Sequence, residues 1–277
     1  MSIFKYEFSE CTNLRRDIYE GMVYLLSETN SSLILVNKVK ERLKLEFGED
    51  YRSPKHCEDN DYFFETIGKI RKELYLDNEF QSLTKEIYLE AGFENVAFDP
   101  VRLRVVPHLG HNNPSAKAVY YAHRDTWYSH PQSLITWWIP LDDLSKEETF
   151  VFFPEYFRKE VPNNSEIFDY DEWTRKGWSL KIGWQNKDDG LKAEYPGITG
   201  EFDRSISEGF SCRAGQSLLF AGAQLHETIK QETGQTRFSL DFRIVSLDDE
   251  KRGLGAPNVD SRCKGSSLRD YVTLSSS

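Results

Sequence analysis

The spacing of apolar residues changes period once along the chain, near Gly92, and this change limits the fold more than any other feature. Before it, Leu14, Ile18, Met22, Leu25 and Leu26 recur at helical spacing, and Leu33 to Leu45 resume it after an Asn30-Ser31-Ser32 break. The stretch from about Leu14 to Phe47 is therefore expected to be helical, as is a second one from about Tyr62 to Ala91 that stops at Gly92. Beyond Gly92 the period is two. Val101, Leu103 and Val105 alternate with Arg102 and Arg104, and Thr236 to Val245 alternates for ten residues. The runs Ser133–Ile139, Thr149–Phe153 and Gln216–Phe220 are short and apolar, β-branched or aromatic. A helical first third followed by short strands predicts an α+β chain with a mainly β core, its helices covering one face of a sheet or barrel.

At 277 residues the chain is long enough to bury a sizeable core. The expected organisation is a single domain: residues 1–95 as helical support, 96–246 as the β core, and 247–277 as a C-terminal tail that is charged, then Ser-rich and mobile at its end. Within the core, residues 155–212 form a long polar segment dotted with Trp173, Trp178 and Trp184. Its aromatic content argues against disorder and predicts a lid-like insertion.

Charge and composition remove several classes of function. With 45 acidic against 35 basic residues and no basic cluster, the chain would repel a phosphate backbone, so no nucleic-acid partner is expected. The apolar run LITWWIPL is far short of the roughly 20 residues that a membrane span requires. The first residues lack the basic start and apolar centre of a secretion signal. A cytoplasmic protein acting on a small molecule is the expectation. Cys11, Cys57, Cys212 and Cys263 are widely spaced and form no CxxC pair, which predicts free thiols.

The stretch HRDTWYSHP, His123 to Pro131, concentrates two of the six histidines beside an aspartate. In an extended chain His123 and Asp125 project to one side while Arg124 points away. An imidazole and a carboxylate on one side make two corners of a metal site. His226, which follows the strand GQSLLFAG and opens the turn LHET, is placed to supply a third. Two histidines and one carboxylate on one face form the facial triad that holds Fe(II) with three positions open. Eleven residues after His226 comes Arg237, in TRFSLDFRI, sharing a face with Ser239 while Phe238, Leu240, Phe242 and Ile244 share the other. A guanidinium fork beside a hydroxyl suits bidentate capture of a carboxylate.

His-x-Asp, a distant His, then Arg-x-Ser resembles the Fe(II)/2-oxoglutarate-dependent oxygenase superfamily, most closely its phytanoyl-CoA-hydroxylase-like branch. WWIPLDDL and TFVFFP resemble that branch's strands after the first two ligands, and GQSLLFAGAQLHET with TGQTRFSLDFRIV resembles its last two. The resemblance covers roughly Val101 to Val245. It implies a double-stranded β-helix, also called a jelly roll or cupin-like barrel. It implies iron held by His123, Asp125 and His226, the distal carboxylate of 2-oxoglutarate bound by Arg237 and Ser239, and dioxygen as co-substrate. The implied reaction is hydroxylation of a small-molecule metabolite with release of succinate and CO2. The branch's usual Pro-Gly-Ser-His turn is replaced here by PEYFRKE, so a CoA thioester is not implied. An aspartate at 125 favours hydroxylation, desaturation or ring closure, because halogenating relatives carry a small residue there.

Trp127, Tyr128 and Trp137 stand near the ligand segment and are candidates for the substrate wall, with core packing as the alternative. Arg102 and Arg104 share a face. A salt bridge to an inward acid such as Asp241 is the preferred reading, and Arg104 holding a substrate carboxylate is the alternative. His130 is expected in a surface or loop role, and His108 and His111 in a turn. A cupin-like metal-dependent isomerase or hydrolase, or a small-molecule binding protein without turnover, would share the fold and lack the need for the Arg237 and Ser239 clamp.

Overall fold

A computed structural model describes residues 2–7, 10–113, 119–175 and 195–273. Thr29 opens the longest helix: its side chain accepts from Ser32 N–H while the Ser32 hydroxyl accepts from Thr29 N–H. This reciprocal capping box satisfies two donors that would otherwise be orphaned. The Asn30-Ser31-Ser32 stretch is thus the first turn of that helix and not a break in one.

Along the chain the elements are β1 (Phe4–Lys5), α1 (Cys11–Tyr19), β2 (Val23–Leu26), α2 (Asn30–Phe47), α3 (Asn60–Leu76), α4 (Asn78–Glu90), β3 (Val96–Phe98), β4 (Arg102–Val106) and β5 (Leu134–Pro140). There follow β6 (Phe150–Phe152), α5 (Tyr170–Arg175), β7 (Ser217–Ala221), β8 (His226–Thr228), β9 (Arg237–Ser246) and α6 (Leu247–Lys251). Met22, Leu25 and Leu26 do not continue α1 as their spacing predicts. Gly21, at φ +106°, ends the helix in a conformation that favours glycine, and the next residues pair with β7. There Val23 and Leu25 face one side and Tyr24 the other, so sheet pairing overrides a helical pattern too short to hold by itself. The second helical stretch is divided at Asp77, whose side chain caps α4 through Glu79 N–H.

The fold is mixed α/β with a β-sheet core. Seven strands form one sheet in the order β1-β2-β7-β5-β9-β3, with β4 also paired to β9, and β6 pairs β8 in a second sheet. Isolated bridges extend the second sheet from His226 to His123 and from Phe152 to Glu208. One face of the large sheet packs on the helices: Leu103, Val105, Ile135, Trp137, Ile139, Phe238 and Phe242 share a buried cluster with Leu14, Val39, Phe63 and Ile87. Burying each such side chain is worth roughly 1.5–3 kcal/mol. The opposite face meets the second sheet through an aromatic layer in which Trp138 contacts Phe150 and Phe210 edge-on. No helix among the described residues is long and apolar enough to cross a membrane.

The chain after Val245 is less of a tail than its composition suggests. Asp260 is buried and accepts from Arg124 Nε, Trp127 Nε1 and Val161 N–H, and Val272 bridges Phe98. Arg124, 1% exposed, donates also to the carbonyls of Ala223, Tyr156 and Lys159. The expectation of a mobile end falls on residues 274–277, outside the described residues, as do Trp178 and Trp184 of the 155–212 segment. That segment is partly sheet: Glu208 pairs with Phe152 and Cys212 with Leu144.

Asp260→Ala would leave the Arg124 charge buried and unpaired. It is expected to lower stability by about 3–5 kcal/mol, read as a shift of the urea unfolding midpoint.

Candidate metal centre

His123 and His226 are brought together by backbone pairing. The His123 N–H donates to His226 O at 3.0 Å and His226 N–H returns the bond to His123 O at 3.1 Å, so the two rings lie side by side with centroids 4.4 Å apart. Asp125 enters from a short 3-10 turn, Asp125–Tyr128, that follows extended Arg124. Thr126 N–H in that turn donates to Gly222 O, and a β-carbon on Gly222 would lie 3.3 Å from Asp125 Cβ and 2.5 Å from Leu134 Cδ2. Only glycine lets the end of β7 approach the turn this closely. One ligand atom from each of His123, Asp125 and His226 lies within 4.8 Å of the other two.

The donor set is in the right chemical state for a cation. His123 Nδ1 lies 2.8 Å from Tyr121 O and His226 Nδ1 lies 3.0 Å from Gln224 O. A carbonyl can only accept, so each Nδ1 carries the proton and each Nε2 presents its lone pair. Burial, reinforced by the neighbouring His226, pushes His123 down to about 3. Burial likewise lowers His226. Burial alone would raise Asp125, but the Arg243 guanidinium outweighs it and holds the carboxyl well below its usual range. Two neutral imidazoles and a carboxylate therefore meet at neutral pH, a combination that suits a first-row divalent ion.

On the same face of the large sheet lie Arg237 and Ser239. Arg237 Nη1 donates to Thr149 O at 2.8 Å and to Glu148 O at 3.3 Å. Its Nε is buried without a partner among the described residues, and so are the Ser239 hydroxyl and the Tyr120 hydroxyl. Tyr120 is electrostatically coupled to Arg237; burial raises its phenol to about 12, against the pull of that guanidinium. Burial lowers Arg237 itself to about 10. Buried donors left unpaired are expensive, and their convergence marks a place built for an acceptor that the chain does not itself supply.

Of the aromatic candidates, Tyr128 alone stands at the triad: its ring is 5.6 Å from that of His123 and also meets Phe168 and Tyr195. Trp127 does not wall the site. The 3-10 turn swings its side chain the other way, into a cluster with Ala122, Phe153, Tyr156 and Leu225, where it is fully buried. Trp137 is corrected as well: it stacks on Phe242 at 5.3 Å and contacts Phe93, on the helix side of the sheet. Arg104 takes the salt-bridge reading, forking onto both Asp241 oxygens at 2.9 and 2.8 Å. Arg102 pairs with Asp99 instead of Asp241. His130 Nδ1 faces Ser267 Oγ and Tyr271 OH, His108 Nδ1 accepts from Gly234 N–H, and His111 Nε2 faces Glu232.

The sequence reading missed Thr136, Arg243 and Tyr120. Arg243 was within reach, because it falls on the alternating face of β9 that also carries Arg237, Ser239 and Asp241. Thr136 was not, since only the register of β5 sets it opposite Arg243.

No protein-family model matches the chain, and no curated protein matches it. Among solved structures it is similar to HygX from Streptomyces hygroscopicus with iron bound, at 14% identity and a TM-score of 0.42 over 96% of this chain and 100% of that one. It is also similar to SnoN, the non-heme alpha ketoglutarate dependent epimerase from nogalamycin biosynthesis, at 12% identity and a TM-score of 0.42 over 85% and 84%. EvdO2 from Micromonospora carbonacea var. aurantiaca, complexed with 2-oxoglutarate, aligns at 16% identity and a TM-score of 0.38 over 63% of this chain, which spans 62% of EvdO2.

The triad is expected to bind one divalent ion, such as Co(II) or Mn(II), per chain in a calorimetric titration. His226→Ala should weaken binding by more than the roughly 10–100-fold that loss of an outer supporting contact costs. Because His123 stays neutral down to about pH 3, affinity should hardly change between pH 6 and 8. Histidines with an ordinary pKa near 6.5 would instead lose about fourfold each over that range.

Proposed function

We propose that the chain is a non-haem Fe(II)/2-oxoglutarate-dependent oxygenase, a single domain that hydroxylates a small-molecule metabolite. In this reading His123, Asp125 and His226 hold the iron, while Arg237 and Ser239 hold the distal carboxylate of 2-oxoglutarate. The observation that carries it is the pair of unsatisfied buried donors, Arg237 Nε and Ser239 Oγ, on the same sheet face as the groups behind the triad. A cation-binding site alone has no use for them. A dianionic co-substrate that reaches from metal to guanidinium uses both.

The proposed barrel is a double-stranded β-helix. Its support is the run β4-β9-β5-β7 on one side and the segments at His123, β8, β6 and Glu208 on the other, with the aromatic layer between them. The phytanoyl-CoA-hydroxylase-like branch is the finer assignment, resting on the strand phrases around the triad and the clamp.

The chemistry that iron supplies when bound is oxidation of the substrate by dioxygen, coupled to decarboxylation of 2-oxoglutarate to succinate and CO2. The protein's share is orientation and exclusion of water. Arg237 and Ser239 anchor the far end of the co-substrate, Tyr128 with Tyr195 forms an aromatic wall beside His123, and Arg104, one-third exposed, stands on the substrate side.

An anaerobic titration of metal-free protein with Fe(II) and 2-oxoglutarate is expected to develop the visible charge-transfer band of the ternary complex. Arg237→Ala should weaken 2-oxoglutarate binding roughly ten- to a hundredfold, in line with the ~1.5–3 kcal/mol of a hydrogen bond to a charged group, with metal affinity retained. Bound metal without a band would instead assign a cupin-like isomerase, hydrolase or binding protein.

A further inference from the structure

The two oxygens of Asp125 have different surroundings. Oδ1 lies 3.8 Å from His123 Nε2, on the side of the triad. Oδ2 accepts a 2.5 Å hydrogen bond from the Thr136 hydroxyl and faces Arg243 Nε at 3.7 Å. Thr136 and Arg243 are cross-strand neighbours in the β5–β9 register, so both side chains rise from one point on the interior face. Arg243 is in turn fixed from behind: Nη1 lies 3.1 Å from Asp99 Oδ2, and Asp99 Oδ1 accepts Arg243 N–H. Thr136 is 5% exposed and Arg243 8%, so water does not compete for Oδ2.

We infer that Thr136, backed by Arg243, is a positioning residue that restricts Asp125 to one metal-ligating oxygen and thereby keeps a coordination position open for the co-substrate. The inference rests on the oxygenase reading. A carboxylate with both oxygens free can chelate a divalent ion and occupy two positions. Two imidazoles and a chelating carboxylate leave two of six positions, whereas a single oxygen leaves three, the number that a chelating 2-oxo acid and dioxygen require together. Tying Oδ2 to the Thr136 hydroxyl, with the Arg243 charge 3.7 Å away on the same side, disfavours the chelating option, because that hydrogen bond would have to be given up in a dry interior. Arg243 also balances the charge of the buried carboxylate.

Thr136→Val removes the hydroxyl at nearly constant volume. With Oδ2 released, Co(II) or Mn(II) affinity by calorimetry should be equal to or tighter than wild type. Under anaerobic conditions 2-oxoglutarate affinity, read from the charge-transfer band, should fall on the order of tenfold or more. Co(II)-loaded protein should show a changed visible spectrum even before co-substrate is added, and Thr136→Ser should restore wild-type values on all three measures. Where valine prevents folding, Thr136→Ala carries the same test. Unchanged 2-oxoglutarate affinity in the variant overturns the inference and leaves the oxygenase reading intact. So does a parallel loss of metal and co-substrate affinity, which would make Thr136 a packing residue only. Absence of the band in wild-type protein overturns the oxygenase reading, and this inference with it.

Discussion

Strand β9 is the constraint on which the rest of the structure depends. It is paired along its length, to β5 on one side and to β4 and β3 on the other, so its ten residues have no freedom to slip. A one-residue shift would exchange its faces, putting Phe238, Leu240, Phe242 and Ile244 into the charged interior and Arg237, Ser239, Asp241 and Arg243 against the helices. Burial of the apolar face against α1 to α4 thus orients the polar face toward the candidate site. The helical third of the chain supports the site through this register, and its connecting segments add direct bonds: Gly21 O accepts from Gln224 Nε2, and Arg52 pairs with Glu148.

The interior face holds an unusual density of charge for a sheet. Arg102, Arg104 and Arg243 are matched by Asp99, Asp241 and Asp125, through contacts that leave few atoms without partners. Such a network is weak evidence for stability, since apolar replacements of similar volume are often as stable. It serves better as a rigid support: every member fixes a neighbour, and the chain of contacts ends at Asp125. Arg237 differs: among the described residues it has no carboxylate partner, and its unpartnered Nε shares a strand face with the unpartnered Ser239 hydroxyl, whereas the Arg243 Nε, also without a hydrogen bond, stands 3.7 Å from Asp125 Oδ2. Matched charge identifies the supporting part of the interior, and a guanidinium without a carboxylate identifies the part that awaits a ligand.

The triad also shows how a site is divided between local and distant structure. Each histidine's tautomer is set by a carbonyl two residues before it, Tyr121 for His123 and Gln224 for His226. The meeting of the two histidines is set by a single antiparallel bridge between segments a hundred residues apart, and Asp125 is aimed by a turn that fits only against Gly222. The histidines are therefore held and oriented by local backbone, and the large sheet supplies the supporting hydrogen bond of Asp125 through Thr136.

Much of this was legible in the residues. Alternation placed Arg237 and Ser239 on one face and the phenylalanines on the other, and His-x-Asp with a later histidine singled out the three side chains that come together. These features are local, because a strand's period of two needs no knowledge of its partner. Other expectations failed where a partner decides. Met22 to Leu26 has helical spacing yet lies beyond a positive-φ glycine beside a strand that can pair with it. Trp127 and Trp137 are near Asp125 in sequence or strand order, but a 3-10 turn and the sheet's other face carry them away. Asp260, in a stretch that reads as a tail, neutralises a buried arginine 136 residues earlier. What the sequence determined alone was which residues could share a face; which faces meet, and so which donors stay unpaired, was decided only by strand register and long-range burial, because those depend on surfaces far apart in the chain.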